Sequence, residues 1–293
     1  MSEVLLPISR LGRRSLAAVA ALIAAACSPV RLLNSAAPDR LAASDLAYGS
    51  NPRQRLDVYT PPPGKGPAPV VLFIYGGNWQ TGDRGMYRFA GAALAAAGCV
   101  TVIADYRLYP EARFPDFLRD CAAATRWTRD NAARFGGDPD RMFLMGHSAG
   151  AYNVAMLALD KQWLGAVGLE PRRDLRGVIG VAGPYDFLPL EDPVLVEIFG
   201  GNGPAIAHTQ PINFVDGTNP PTLLLAGDAD TTVLPRNTTR LAARIREHGG
   251  PVQSRLYSGI GHAPIIGALA APVRFIAPTL QDTVAFMAAP PTS

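Results

Sequence analysis

The sequence predicts an α/β domain, with a mostly parallel central sheet and helices on both of its faces. Two observations carry this. From Val70 onward, apolar runs of strand length alternate with segments in which apolar residues recur at helical spacing. Breaks containing Gly or Pro separate the two kinds of segment. A strand buried on both faces has no polar side to show, so it reads as an unbroken apolar run.

The elements follow in order. Residues 27–48, with Pro29, Pro38 and many small side chains, read as a linker. The domain is expected over 49–293. Its first strand runs from Arg55 to Thr60 by alternation, and Pro61-Pro62-Pro63-Gly64 breaks it. Val70 to Tyr75 is a buried strand, Tyr87 to Ala97 a helix ending at Gly98, and Cys99 to Ala104 another buried strand. Asp116 to Ala133 is the strongest helix, because Phe117, Cys121, Ala124 and Trp127 fall on one face. Strands are expected at Met142–Met145, Gly177–Ala182, Thr222–Ala226 and Val252–Tyr257. Helices are expected at Ser148–Leu159 and Asn237–His248, with Leu280–Met287 inside a closing helix. The stretch 184–221 is long and rich in Pro and Gly, with a short helix candidate at Val194–Phe199, and reads as a lid or binding loop.

The start of the chain reads as a targeting segment. Arg10, Arg13 and Arg14 precede an apolar run from Leu16 to Ala26, too short to span a bilayer as a helix. Ala24-Ala25-Ala26-Cys27 resembles a bacterial lipobox, with Ala24 where leucine is usual. That resemblance implies a signal peptide over 1–26 and a lipid group on Cys27. Gly12-Arg13-Arg14-Ser15-Leu16 also resembles a twin-arginine signal. The expected location is therefore outside the cytoplasm, in a bacterial periplasm or anchored to a membrane through the lipid.

The net charge is +3, and the three arginines and one glutamate before Cys27 account for two of those charges. The near-neutral remainder lacks the electrostatic footprint of a nucleic-acid binder. Beyond Cys27 only Cys99 and Cys121 remain; they are expected as buried free thiols. Neither the cysteines nor the four histidines show metal-ligand spacing, so no metal or cofactor is expected.

Chemistry concentrates in Gly146-His147-Ser148-Ala149-Gly150, a Gly-x-Ser-x-Gly pentapeptide between a strand and a helix. A nucleophile on so sharp a turn needs small residues at both flanks. The helix that starts there offers unpaired N–H groups and a favourable dipole to developing negative charge. Serine needs a base. His262, in the Gly259-Ile260-Gly261-His262 loop after the last strand, is preferred; His147 is expected to point away, and His208 and His248 read as surface or capping residues. The acid falls between nucleophile and base in chain order. Gly227-Asp228-Ala229-Asp230 offers two; Asp230 is preferred, Asp228 is expected to tie down loop backbone, and Asp186 is a weaker rival. In Tyr75-Gly76-Gly77-Asn78-Trp79, the N–H groups of Gly76, Gly77 and Asn78 are candidates for an oxyanion hole, completed by Ala149.

Together with Asp105-Tyr106-Arg107-Leu108-Tyr109-Pro110 and Phe135-Gly136-Gly137-Asp138-Pro139, these segments resemble the esterase/lipase branch of the α/β-hydrolases, near the carboxylesterases and acetyl-esterase-like proteins similar to hormone-sensitive lipase. The resemblance covers about Arg55 to Met287. It implies an α/β-hydrolase fold and a serine ester hydrolase that forms an acyl-enzyme on small to medium acyl or aryl esters, without a cofactor. The family's oxyanion loop usually opens with histidine, where this chain has Tyr75. Asp105-Tyr106-Arg107 is expected to act as scaffold. Trp79, Phe187 and Phe199 are candidate pocket walls. The rivals are an amidase resembling the arylformamidases, a peptidase of the prolyl oligopeptidase type, for which no propeller-sized N-terminal domain is present, and a binding protein that keeps the fold without its chemistry.

Overall fold

Val70 to Ile74 are wholly buried, as a strand covered on both faces must be. They form most of β3 (Ala68–Ile74) in a computed structural model that describes residues 29–64 and 66–289. The other strands are β1 (Leu41–Ala47), β2 (Arg55–Tyr59), β4 (Val100–Ala104), β5 (Gly137–His147), β6 (Gly177–Val181), β7 (Thr222–Gly227) and β8 (Val252–Tyr257). They make one sheet in the order β1-β2-β4-β3-β5-β6-β7-β8. β3 to β8 are mutually parallel; β2 pairs antiparallel with β4, and β1 with β2. Helices Arg88–Ala96, Asp116–Asn131, Ala149–Leu159 and Arg236–Glu247 pack against it, and this is the α/β-hydrolase fold.

Register aligns the strand ends that matter. Ile74 lies opposite Gly146, His147 opposite Val181, Val181 opposite Leu225, and Gly227 opposite Tyr257. The loops after β3, β5, β7 and β8 therefore leave from one edge of the sheet. The chain passes from β3 to β4 on one side and to β5 on the other, so the crevice between the loops after β3 and β5 is a switch point where α/β sheets place ligands.

One expectation needs correction. Residues 29–48 are not a linker: Pro29–Ser35 is a helix and β1 is the sheet's antiparallel edge. Neither buries a residue, so burial wrote no apolar pattern into them. The stretch 184–221 holds the short helix expected within it. It carries a helix at Pro193–Phe199 and 3₁₀ turns at Pro204–Thr209 and Pro211–Phe214, and it buries Ile198 and Phe199. It is tied to the body where Tyr152 donates to the Thr209 carbonyl at 2.6 Å and the Phe114 N–H to the Ile198 carbonyl at 2.8 Å. The expected signal peptide over 1–26 and Cys27 lie outside the described residues. Among the described residues, no helix is long and apolar enough to cross a membrane.

Candidate active site

Ser148 sits between the end of β5 and the helix Ala149–Leu159 at φ 54°, ψ −124°, a region non-glycine residues rarely occupy. Its neighbours explain the pentapeptide. A Cβ on Gly146 would come within 2.2 Å of the Gly150 carbonyl oxygen, and one on Gly150 within 2.0 Å of the Ile74 carbonyl oxygen. The turn fits only if both flanks are glycine. The Ser148 N–H donates to the Val181 carbonyl at 2.9 Å, which ties the elbow to β6.

The loops after β7 and β8 bring the base and the acid. They pack so closely that a Cβ on Gly227 would sit 1.9 Å from the Ile260 carbonyl oxygen. Asp228 fastens them, accepting from the Gly259 N–H at 2.7 Å; the loop-tying role expected of it is real, although its bond bridges two loops. Asp230 is buried, and its Oδ1 accepts from the N–H groups of Thr232 and Val233, both at 2.9 Å. Its Oδ2 stands 2.7 Å from His262 Nδ1, and His262 Nε2 stands 2.9 Å from Ser148 Oγ. An ionised carboxylate only accepts, so Nδ1 carries the imidazole proton and Nε2 is free to accept from the serine hydroxyl. Asp186 pairs instead with Arg240 at 2.8 Å, and His248 Nδ1 bonds the Arg244 carbonyl at a helix end.

The loop after β3 lies against the elbow. A Cβ on Gly76 would reach within 2.7 Å of Ser148 Cβ, and Gly77 has φ 138°, so both positions require glycine. Asn78 and Trp79 continue at φ 56° and 59°. The Gly76 N–H faces the Tyr87 hydroxyl, where it partly offsets the rise in pKa, to about 12, that burial imposes on that phenol. Gly76 serves the close approach, and Gly76, Gly77 and Asn78 all line the pocket at Ser148. Ala149 opens its helix, where an N–H has no intrahelical acceptor.

Tyr75, which stands where the family loop usually has histidine, is buried. Its hydroxyl donates to Asp105 Oδ1 at 2.9 Å and accepts from Arg53 at 2.9 Å. Burial, and then the Asp105 carboxylate, push its pKa far above the ordinary value, so it stays a neutral donor. Arg84 joins Asp45 and Asp57, both at 2.8 Å, and also pairs with Asp105. Arg107 grips buried Asp120 at 2.8 Å. This is the scaffold expected of Asp105-Tyr106-Arg107. The parts of Arg53 and Arg84 left no sequence signal, because their partners lie 21 to 53 residues away.

His147 does not simply turn away. It is buried 4.8 Å from the His262 ring, centroid to centroid, and its Nε2 lies 3.2 Å from the His262 carbonyl oxygen. A carbonyl only accepts, so Nε2 carries the proton and Nδ1 accepts from the Tyr87 hydroxyl at 3.2 Å. Burial, and then the nearby His262, push its pKa down to about 3, so it is neutral across the working range.

Ser148 and His262 open into a pocket of ≈440 Å³ walled by Gly76, Gly77, Asn78, Met86, Tyr87 and Thr232 among others. The three expected wall residues do not line it. Trp79 is buried, donating to Asn153 Oδ1 at 3.0 Å, and Phe199 is buried edge-on against its ring. Phe187 is half-buried and stacks on the same indole. Their apolar area went to packing the stretch 184–221 onto the body. Cys99 and Cys121 are buried and free. Among the described residues, no cluster of His, Cys, Asp or Glu could hold a metal.

Known proteins similar to this chain are named as esterases. A probable isoprenylcysteine alpha-carbonyl methylesterase of Arabidopsis thaliana, ICMEL1, is 27% identical over 75% of this chain and 50% of its own length. Esterase LipC of Mycobacterium tuberculosis is 31% identical over 69% of this chain and 54% of its own. The chain thus spans about half the length of these curated relatives. Among solved structures, a truncated carbohydrate esterase from gut microbiota superposes with a TM-score of 0.74 at 24% identity, covering 86% of this chain and 97% of that one. Esterase B of Lactobacillus rhamnosis gives 0.75 at 20%, covering 94% and 96%. The model of the BD-FAE family matches residues 56–245, from β2 through the elbow and Asp230, and the chain belongs to that family.

Proposed function

We propose that this protein is a serine ester hydrolase that works through an acyl-enzyme. The observation that carries the proposal is the unbroken relay from Ser148 Oγ through His262 to buried Asp230, at 2.9 and 2.7 Å, beside a glycine loop that touches the serine. As Ser148 Oγ attacks the ester carbonyl carbon, His262 Nε2 takes its proton. Asp230 holds the imidazole in the required tautomer and stabilises the imidazolium. The N–H groups of Gly77 and Ala149, with Asn78 beside them, hold the charge that develops on the carbonyl oxygen. His262 then gives its proton to the departing alkoxide, leaving the acyl group on Ser148. Water, giving a proton to the same imidazole, attacks that acyl carbon; the acid leaves as its bond to Ser148 Oγ breaks, and His262 returns the proton to Oγ. The relatives are named as methylesterases and esterases, which supports ester over amide. The open pocket suits small to medium acyl or aryl esters.

Hydrolysis of a p-nitrophenyl ester series from acetate to palmitate, by wild type and Ser148→Ala, tests the reading. Wild-type turnover with loss of about 10⁴-fold or more in the variant is expected. Wild-type turnover that survives the substitution places the chemistry elsewhere. We also propose export with lipidation at Cys27, on the strength of the apolar run and the small residues before it. Membrane fractionation of Cys27→Ser checks this, and an unchanged membrane fraction refutes the anchor.

A further inference from the structure

A second pocket, of ≈370 Å³, adjoins the one at Ser148. The helix Pro29–Ser35, the turn before the helix Arg88–Ala96, and the segment 263–276 build it. Leu33, Phe89, Ile266, Val273 and Ile276 give it aliphatic and aromatic walls. Met86, Tyr87 and His147 line both pockets, so the two spaces share these three side chains as walls.

The join is apolar in effect. The Tyr87 hydroxyl and the His147 ring nitrogens are engaged with each other and with the His262 carbonyl. His147 carries no charge near neutral pH, because burial disfavours its protonation. Met86 is 41% exposed and unbranched, a side chain that adapts to what lies across it. An apolar concavity opening beside a reacting centre suits the part of a substrate that does not react.

We propose that this pocket binds an aliphatic arm of the ester substrate, roughly six to ten carbons long, which runs from Ser148 across Met86. The proposal rests on the ester-hydrolase reading and names the substrate class of that site. Each methylene that reaches the pocket raises kcat/KM roughly fourfold. Acetyl and other short esters end before Met86 and gain nothing from it.

Gly267 offers the test. A Cβ built there meets only Leu33 Cδ1, at 3.8 Å, so Gly267→Leu places its side chain in the pocket without steric conflict at Cβ. Val273→Asp, at a half-buried wall position, puts a charge into the same space. The full chain is assayed on two series: p-nitrophenyl esters with acyl chains from two to twelve carbons, and acetates of alcohols of the same lengths. In one of the two, the ratio of kcat/KM for the eight-carbon substrate to that for the two-carbon one falls at least tenfold in both variants. The series that responds says whether the acyl or the alcohol arm is held. Ratios that stay at the wild-type value in both series, with hydrolysis retained, overturn the proposal. If wild type hydrolyses no ester, the functional reading fails separately. The pocket is then judged with decanoic acid by isothermal titration calorimetry: binding lost in both variants upholds it, and equal binding by wild type and Gly267→Leu overturns it.

Discussion

Asp228 and Asp230 are two residues apart and spend their carboxylates differently. Asp228 holds the loop after β8 through the Gly259 N–H. Asp230 receives two backbone N–H groups on one oxygen and the His262 imidazole on the other, so it is fixed where the base needs it. Asp230→Asn keeps the shape and changes the proton. The amide would donate to Nδ1, the imidazole proton would move to Nε2, and Nε2 could no longer accept from Ser148. A loss of about 10⁴-fold in kcat is expected, against less than about tenfold for Asp228→Asn, measured with p-nitrophenyl acetate. Equal losses would reassign the acid.

At the scale of elements, legibility follows burial. β3 to β7 were readable because two covered faces force unbroken apolar runs, and the elbow was readable because its geometry demands glycines at 146 and 150. β1 was not. It is an edge strand with no buried residue, with register shifts near Ala43 and a left-handed Asp45, so neither alternation nor an apolar run marks it. β5 begins five residues earlier than its apolar core suggests, because its first half is only partly covered. The triad was legible through strand-end loops in a set chain order. The pocket walls were not, because an aromatic residue beside the site reads the same whether it faces substrate or, as with Trp79 and Phe199, packs a neighbouring segment. Arg53 and Arg84 show the general limit: ion networks join distant positions, and no local pattern records the partner.

For the whole molecule, His147 couples protonation to folding. It sits under both pockets with a pKa of about 3, against 6.5 for an unperturbed histidine. Below pH 6.5 the unfolded chain takes up a proton that the folded chain refuses until about pH 3. The unfolded state therefore binds more protons across that window, and stability falls as the solution is acidified. The contribution is complete near neutral pH, and its loss reaches about 2 kcal/mol by pH 5. For a chain of 293 residues that lowers Tm by roughly 3 °C. Asp216 does not blur the window. Burial alone would raise its pKa, but bonds from Thr218 and Lys161 hold it down at about 2, so its contribution is lost only below the ordinary carboxylate range. His147→Gln is the informative variant, because an amide can donate to the His262 carbonyl and accept from Tyr87 without titrating. Thermal melts at pH 7, 6 and 5 should show wild type losing Tm faster than His147→Gln. Parallel losses in the two proteins would mean that acid sensitivity arises elsewhere and that His147 is not the group whose burial ties stability to pH.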